Sequence, residues 1–341
     1  MRPALFNTRL TALFGIRHPI LAGGLFCLSD ARYVAAAVNA GCMGFITAAS
    51  FPDPGAFREE LRKCRELTAG KPFGVNLAIS RQAEAAARLK PHAAILVEEG
   101  VRHVETSGAS PDAVLPGLKE AGCIVMHKVP AVRYALSAAR DPRIDAICVV
   151  GAECGGHPGI YMIGSMVQAA LAPQRLGLPL AIGGGIGTGR QLAAVLAMGA
   201  EAALIGTRFL VADEIWGHPD YKRRILEGDG TDSRVVMQRF NGHHRVLDNE
   251  AARQVAALEA QGVSDFAAYA PLVSGERVRE AYATGDWSQG MIDYGQSACF
   301  ANEIKPLEAI VDELIDDAAA ALARLGTVSA NRLLKEWRAR P

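Results

Sequence analysis

The sequence contains no long hydrophobic run, no excess of charge of one sign and no secretory signal. No stretch of 18 or more apolar residues occurs among its 341 residues, so we expect no membrane-spanning helix. Lysine and arginine together number 36, as do aspartate and glutamate, and a chain without net charge has no bulk attraction for nucleic acid or an anionic membrane. The N-terminal residues lack the apolar stretch of a signal peptide. These absences predict a cytoplasmic globular protein with neither nucleic acid nor membrane as a partner.

The cysteines neither cluster nor form a Cys-x-x-Cys pair. Their odd number and scattered positions argue against a disulfide framework and against a zinc or iron–sulfur site. Most of them lie in apolar runs, where we expect small core residues. We therefore expect no bound metal. The seven are Cys27, Cys42, Cys64, Cys123, Cys148, Cys154 and Cys299.

The residues that are present are half hydrophobic, which is enough for a large core. The first two-thirds of the chain alternates short apolar runs with longer segments of helical period, the pattern of repeated βα units. Strands are predicted over 19–22, 43–47, 73–77, 103–106, 123–127, 144–150, 180–182 and 202–205. Helices are predicted over 54–68, 82–98, 251–261, 278–282 and 307–325. Eight units favour an α/β protein with a closed (β/α)₈ TIM barrel, and an open doubly wound sheet is the alternative.

The alternation stops after the eighth strand, which suggests three regions. Residues 1–212 are predicted to form the barrel. Residues 213–290 are polar, with helical segments and Gly/Asn turn signals, and are interpreted as a mostly helical insertion that covers the substrate side. Residues 291–341 are predicted to return to the barrel.

A glycine-rich loop with one histidine follows the sixth predicted strand. Residues 151–159 read Gly-Ala-Glu-Cys-Gly-Gly-His-Pro-Gly, and glycines let a ligand approach the backbone closely. An imidazole just past the C-terminal end of a barrel strand suggests an active-site acid or base, His157. The alternative is a structural turn whose histidine caps backbone groups. Glu153 could hold His157 in one tautomer, or could simply be solvated.

Two further glycine loops follow the seventh and eighth strands. Gly183, Gly184 and Gly185 lead into a helix, and Gly206-Thr207 repeats the arrangement in shorter form. Exposed N–H groups at the helix N-terminus and its dipole would form a phosphate site, which α/β barrels often place after these two strands. The spacing does not match the Gly-x-Gly-x-x-Gly dinucleotide fingerprint. Ordinary tight-turn usage of glycine is the alternative.

Together these segments resemble the nitronate monooxygenase family, once called 2-nitropropane dioxygenases. Its relatives include flavin-dependent NADH:quinone reductases and FMN-dependent enoyl-ACP reductases. The resemblance spans most of the chain, and the histidine loop followed by two phosphate loops is its most specific part. The segments that carry it are 18–25, 74–77, 127–128, 152–157, 183–185, 206–207 and 295–297.

The resemblance implies FMN as the cofactor. Its phosphate would lie on the backbone of the two glycine loops, at Gly183, Gly184, Gly185, Gly206 and Thr207. Gly24, Leu25 and Phe26 would line the isoalloxazine ring, with Asn76, Lys128, Gly155 and Gly156 completing the site. Lys128 would stabilise the anionic reduced flavin near N1 and O2, unless it is a surface lysine that only extends its stem from the strand end. Asn76 could instead make a structural hydrogen bond. Tyr294 and Gln296 could return to the flavin edge.

The favoured function is oxidation of an alkyl nitronate, or of a nitroalkane after loss of its α-proton, by FMN and O₂ to a carbonyl compound and nitrite. His157 would take that proton as general base, or would only position a substrate that arrives as the anion. The enzyme would act on a small molecule as a monomer or homodimer.

The second hypothesis is an NAD(P)H-dependent reductase of quinones or enoyl thioesters on the same FMN. The insertion could supply its nicotinamide platform, with phosphates on basic side chains, although such charges more often form a solvated face. These side chains are Arg223, Arg224, Arg239, His243 and His244. A non-enzymatic ligand-binding barrel is a third hypothesis.

Overall fold

The structure is a computed structural model that describes residues 4–80 and 89–328. The strands are β1 (Ile20–Ala22), β2 (Met43–Thr47), β3 (Gly74–Ile79), β4 (His103–Gly108), β5 (Ile124–Val129), β6 (Ala146–Val150), β7 (Leu180–Gly183), β8 (Ala202–Ile205), β9 (Ser233–Val236) and β10 (His244–Leu247). The first eight form one closed barrel in chain order, because β1 pairs in parallel with both β2 and β8. The predicted TIM barrel is confirmed and the open sheet is excluded.

Helices alternate with the barrel strands and continue beyond β8. The α-helices are α1 (Arg9–Phe14), α2 (Ala31–Asn39), α3 (Pro54–Leu67), α4 (Lys90–Glu98), α5 (Leu115–Glu120), α6 (Val132–Ala138), α7 (Ser165–Leu171), α8 (Gly189–Ala197), α9 (Pro219–Leu226), α10 (Glu250–Ala260), α11 (Ala270–Val273), α12 (Gly275–Thr284) and α13 (Leu307–Val328). Short 3₁₀ segments are Ala48–Ser50, Ala172–Gln174, Thr207–Val211, Gln238–Phe240, Phe266–Ala268 and Gln296–Phe300. The first part of the helix predicted over 82–98 lies outside the described residues.

Local capping explains where several helices begin. Asp30 is the N-cap of α2, and its side chain accepts a 2.9 Å hydrogen bond from the Tyr33 N–H. Asp53 caps α3 in the same way, with Pro54 at the first helical position, where a missing N–H costs nothing. These short-range signals made the helix starts predictable.

The core has two parts, one inside the barrel and one between the barrel and its helices. Helix α1 closes the N-terminal end of the barrel, because Leu10 and Phe14 are fully buried among the inward-facing strand residues. The Phe14 ring meets the His103 ring edge to face, with centroids 5.5 Å apart. With that end filled by side chains, the C-terminal ends of the strands are the face at which a ligand can enter.

The region after β8 contains a β-hairpin that the sequence did not predict. Strands β9 and β10 pair antiparallel, with His244 opposite Val236, and form a separate two-stranded sheet. Strands of only four residues give too little alternation to recognise. Single bridges join Val246 to Asp293 and Ala212 to Lys305, so the returning chain runs beside both the hairpin and the barrel.

The cysteines are all free thiols. Five are buried, Cys154 is half-buried and Cys299 is exposed, which confirms that most are small core residues. Within residues 4–80 and 89–328, no helix combines the length and apolar character that crossing a bilayer requires.

Candidate active site

The loop after β7 presents a row of unused N–H groups. Gly184 and Gly185 have φ angles of +94° and +70°, a region that side chains rarely adopt. A Cβ on Gly184 would lie 2.8 Å from the backbone of Gly151, so the fold itself requires glycine there. Neither the Gly184 nor the Gly185 N–H finds an acceptor among the described residues. Such groups can bind an anion.

The N-terminus of α8 is capped by its own residues, which corrects one expectation. The Gln191 side-chain oxygen accepts from the N–H groups of Gly187 (2.9 Å) and Thr188 (3.1 Å). The Thr188 hydroxyl in turn accepts from the Gln191 N–H, forming a capping box. The N–H groups of Gly187, Thr188 and Gln191 are therefore occupied, and unpaired N–H groups lie earlier in the loop, at Gly184 and Gly185.

The loop after β8, which neighbours the loop after β7, has open space beside Gly206. A Cβ on Gly206 would meet only the Leu25 side chain, at 3.5 Å. The Gly206 N–H also has no acceptor among the described residues. The Thr207 hydroxyl accepts a 3.0 Å hydrogen bond from the N–H of Gly295, which ties this loop to the returning chain. The two loops follow neighbouring strands, and their unpaired N–H groups are able to bind an anion such as a phosphate.

Three side chains on neighbouring strands form a buried polar layer below the mouth. One carboxylate oxygen of Glu105 (β4) accepts from the Asn76 side chain (β3) at 2.5 Å and from the Lys128 ammonium (β5) at 2.7 Å. Burial alone lowers the pKa of Lys128, but Glu105 raises it by more, so the ammonium stays charged. Gly24 covers this layer, because a Cβ there would lie 3.1 Å from Asn76 and 2.9 Å from the Thr47 hydroxyl.

The histidine loop is fixed by the hairpin and the returning chain. Gly156 and Arg245 exchange two backbone hydrogen bonds, of 3.0 and 2.7 Å. A Cβ on Gly155 would lie 2.8 Å from the Gly295 N, so the loop fits closely against the returning chain. Glu153 neither contacts His157 nor is solvated, because its carboxylate accepts from the N–H and hydroxyl of Ser165 at the start of α7. Both expectations for Glu153 are wrong.

The neighbour of His157 is a second imidazole. The rings of His157 and His244 stack with centroids 4.4 Å apart and planes 14° from parallel. The His244 Nε2 lies 2.6 Å from the Asp293 carboxylate. The His157 side chain is exposed to solvent at the mouth, yet desolvation by the surrounding protein atoms, and then His244, lower its pKa to about 4 against the opposing effect of Asp293. His157 is therefore neutral at pH 7 and able to accept a proton.

Asp293 is held as a carboxylate by the same arrangement. Burial alone would raise its pKa, but the hydrogen bond and charge of His244, with smaller effects of His157 and Lys128, hold the pKa below its ordinary value. Although protein atoms surround it, 39% of the Asp293 side chain is solvent-accessible, so it faces a space at the mouth.

Several residues proposed from the sequence do not face the mouth. Tyr294 is fully buried, with its hydroxyl on Asp232 at 2.9 Å. The Arg224 guanidinium pairs with the same Asp232 at 2.8 Å, and Arg223 pairs with Asp220. These side chains are engaged in structural contacts. No cluster of three potential metal ligands occurs in the described part of the chain.

Sequence reasoning missed four residues that shape the site. Glu105 was recognisable in principle as a charge inside a β-branched strand. His244 was considered only as a phosphate or metal partner, and Arg245 and Asp293 gave no local signal, because the partners they bind lie tens of residues away. The four are Glu105, His244, Arg245 and Asp293.

Comparison with known proteins identifies the family of this chain. A family profile described as nitronate monooxygenase matches residues 7–317. The (3aS,4S,5R,7aS)-5-hydroxy-7a-methyl-1-oxo-octahydro-1H-indene-4-carboxyl-CoA dehydrogenase of Mycobacterium tuberculosis is 34% identical over 73% of this chain and 68% of its own. The nitronate monooxygenase of Paraburkholderia phytofirmans is 27% identical over 88% of this chain and 92% of its own.

Among solved structures, FabK from Thermotoga maritima superposes with a TM-score of 0.85 at 30% identity, covering 95% of this chain and 99% of that one. The fold and site define a flavin-dependent oxidoreductase built on a TIM barrel. The chain belongs to the nitronate monooxygenase family.

Proposed function

We propose that this protein uses FMN to oxidise alkyl nitronates or nitroalkanes with O₂, giving a carbonyl compound and nitrite, with His157 as the general base. The observation that carries the proposal is the neutral imidazole of His157, held at the barrel mouth beside His244 and Asp293. The nitronate monooxygenase of Paraburkholderia phytofirmans supports the choice of substrate.

The residues at the mouth fit FMN on two structural grounds. Unpaired N–H groups of Gly184, Gly185 and Gly206 and the open space beside Gly206 suit its phosphate, with Gly183 and Thr207 completing the loops. The buried Thr47 hydroxyl, which has no partner among the described residues, and the charged Lys128 suit a polar ring edge. The ring would be lined by Gly24, Leu25, Phe26, Asn76, Lys128, Gly155 and Gly156. When bound, FMN supplies an acceptor for the substrate's electrons, which O₂ removes.

The chain's own contribution is to move a proton and to orient the substrate. His157 takes the α-proton of a neutral nitroalkane onto its ring, and the negative charge that develops beside it favours the protonated imidazole. A substrate that arrives as the nitronate needs no base, and His157 then positions the anion.

We further propose that residues 213–290 and the return beginning at 291 form the substrate side of the site, above a barrel of residues 1–212. The support lies in two contacts. A Cβ on Gly275 would lie 3.1 Å from the Phe26 ring, so α12 packs over that loop. Arg245 pairs with Gly156 next to the base.

The variant His157→Asn tests the base role. Steady-state rates are compared on nitroethane and on ethyl nitronate, with His218→Asn as control, because asparagine preserves the N-cap that His218 provides for α9. We expect His157→Asn to lose at least about a hundredfold in kcat/KM on nitroethane while turnover of the nitronate is retained. Equal retention on both substrates would remove the base role.

A second function is favoured by one comparison. The 34% identical relative is a carboxyl-CoA dehydrogenase, so an NAD(P)H-linked reductase of enoyl thioesters or quinones on the same FMN is the alternative. Anaerobic mixing with NADH and NADPH distinguishes the two, because rapid bleaching of the flavin supports the reductase.

A further inference from the structure

Three segments far apart in the sequence meet at His157. The imidazole of His244, on β10, stacks on His157 at 4.4 Å, and its Nε2 lies 2.6 Å from Oδ1 of Asp293, on the returning chain. The His244 side chain is only 16% exposed. Two imidazoles and one carboxylate therefore form a compact group, of which only His157 belongs to the barrel.

Backbone hydrogen bonds hold each member of this group in place. Arg245 pairs with Gly156 through both N–H and C=O groups, which fixes β10 against the histidine loop. The Leu247 N–H donates to the Ile292 C=O at 2.9 Å, and a bridge joins Val246 to Asp293. The ring stack is thus built into the fold and is not a chance contact of mobile side chains.

We propose that His244, held by Asp293, is a positioning residue that fixes the ring plane of His157 and opposes a positive charge on that ring. Two imidazolium ions stacked 4.4 Å apart would repel each other, so His244 disfavours protonation of His157. The carboxylate of Asp293 lies 2.6 Å from the His244 Nε2 and holds that ring against His157. This inference rests on the proposed function only in giving His157 the role of base.

The other ionisable groups near Asp293 do not change this assignment. Lys128, on β5, is a cation that also lowers the pKa of Asp293. The remaining groups are thiols and phenols whose pKa values are raised, first of all by burial, so they are uncharged near pH 7. They are Cys27, Cys154, Tyr221 and Tyr282.

Two substitutions separate the contributions of His244. His244→Gln keeps a hydrogen-bond donor for Asp293 but removes the second ring. His244→Phe keeps the ring stack but removes both ring nitrogens, and with them the hydrogen bond to Asp293. The readout is an NMR titration of the His157 imidazole in the FMN-loaded enzyme without substrate. In parallel, kcat/KM on nitroethane is measured against pH, and the pH at which it falls on the acid side is compared with the titration.

In both variants we expect the pKa of His157 to rise by at least about one pH unit, because the imidazole that lowers this pKa is lost while Asp293, which raises it, remains. The acid limb of kcat/KM should move with it. A pKa of His157 that is unchanged in both variants would overturn the proposal, as would wild-type behaviour of His244→Phe, because stacking alone would then suffice. Either variant that folds and binds FMN decides the question.

The titration also separates this inference from the proposed function. If His157 titrates higher in the variants but the wild type oxidises neither nitroethane nor its nitronate, the pairing of His244 with His157 stands and the assignment of substrate is wrong. If the wild type oxidises nitroethane and the titration does not move, the function stands and the role given to His244 is wrong.

Discussion

The ammonium of Lys128 lies 2.7 Å from the carboxylate of Glu105, and the two side chains form an ion pair inside the barrel. Glu105 is fully buried, and its second oxygen has no partner among the described residues. Asn76 donates to the same oxygen as Lys128 does. The Glu105 carboxylate therefore partly compensates the positive charge that we expect beneath the flavin. The position of Lys128 in the sequence does not reveal this pairing.

Glu105→Gln should raise the reduction potential of the bound flavin. The amide keeps an acceptor for Asn76 and Lys128 but leaves the ammonium uncompensated, and a cation near the flavin stabilises its anionic reduced form. The potential is measured by anaerobic dye-linked reduction. Glu201→Gln is the matched control, because Glu201 is a buried glutamate paired with Arg9 at the opposite end of the barrel. An unchanged or lowered potential in Glu105→Gln would contradict the proposed position of Lys128 beneath the flavin.

Gly206→Val should weaken FMN binding with little effect on the fold. The new side chain would project into the space beside Leu25 that we assign to the phosphate, where the structure leaves room for it. We expect the Kd for FMN to rise at least about tenfold, which corresponds to about 1.4 kcal/mol. Gly117→Ala, at an exposed position with no atom within 4 Å of its Cβ, is the control. Undiminished affinity in Gly206→Val would place the phosphate elsewhere.

The acid limb of the pH profile should lie well below the ordinary range for histidine. Desolvation by the surrounding protein atoms and the neighbouring His244 lower the pKa of His157 to about 4, and a base works only above its pKa. In the wild type, kcat/KM on nitroethane should therefore stay level from pH 7 to pH 5 and fall as the pH approaches about 4. A limb centred near 6.5 would show that His157 behaves as a free imidazole.

Stability should decline on acidification because of two buried histidines, His103 and His127. Burial lowers the pKa of both His103 and His127 to about 4, whereas the unfolded chain titrates near 6.5. The unfolded state therefore binds more protons between those values, and the free energy of unfolding falls as the pH drops from about 6.5 to about 4. We expect on the order of 2–3 kcal/mol for each ring. Urea unfolding of the wild type and of His103→Gln checks this, and the variant should show a shallower pH dependence.

The barrel could be predicted because its signals are local. Strands β2 and β8 were placed at their observed bounds, and β4, which gave the weakest signal, is longer than expected, from His103 to Gly108. Apolar runs bounded by glycine and helix caps such as Asp30 lie within a few residues of what they specify. Counting the strands also predicted that the histidine loop follows β6 and that the two glycine loops follow β7 and β8.

Only those site residues that lie on the barrel strands and on the loops that follow them could be predicted from the sequence. The glycines after β7 and β8 and His157 lie where the strand pattern put them. The partners of His157 could not be found in the same way, because His244 and Asp293 are brought to it by a hairpin of two four-residue strands and by a bridge across 47 positions of the chain. Those contacts are set by tertiary packing, which leaves no periodic trace in the sequence.

The most direct test of the account is an anaerobic titration of the purified, FMN-loaded protein with ethyl nitronate, followed by admission of air. The account predicts that the nitronate alone changes the spectrum of the oxidised flavin, that air restores it, and that nitrite is released. An oxidised spectrum that the nitronate leaves unchanged, while NADH or NADPH bleaches it at once, would contradict the account.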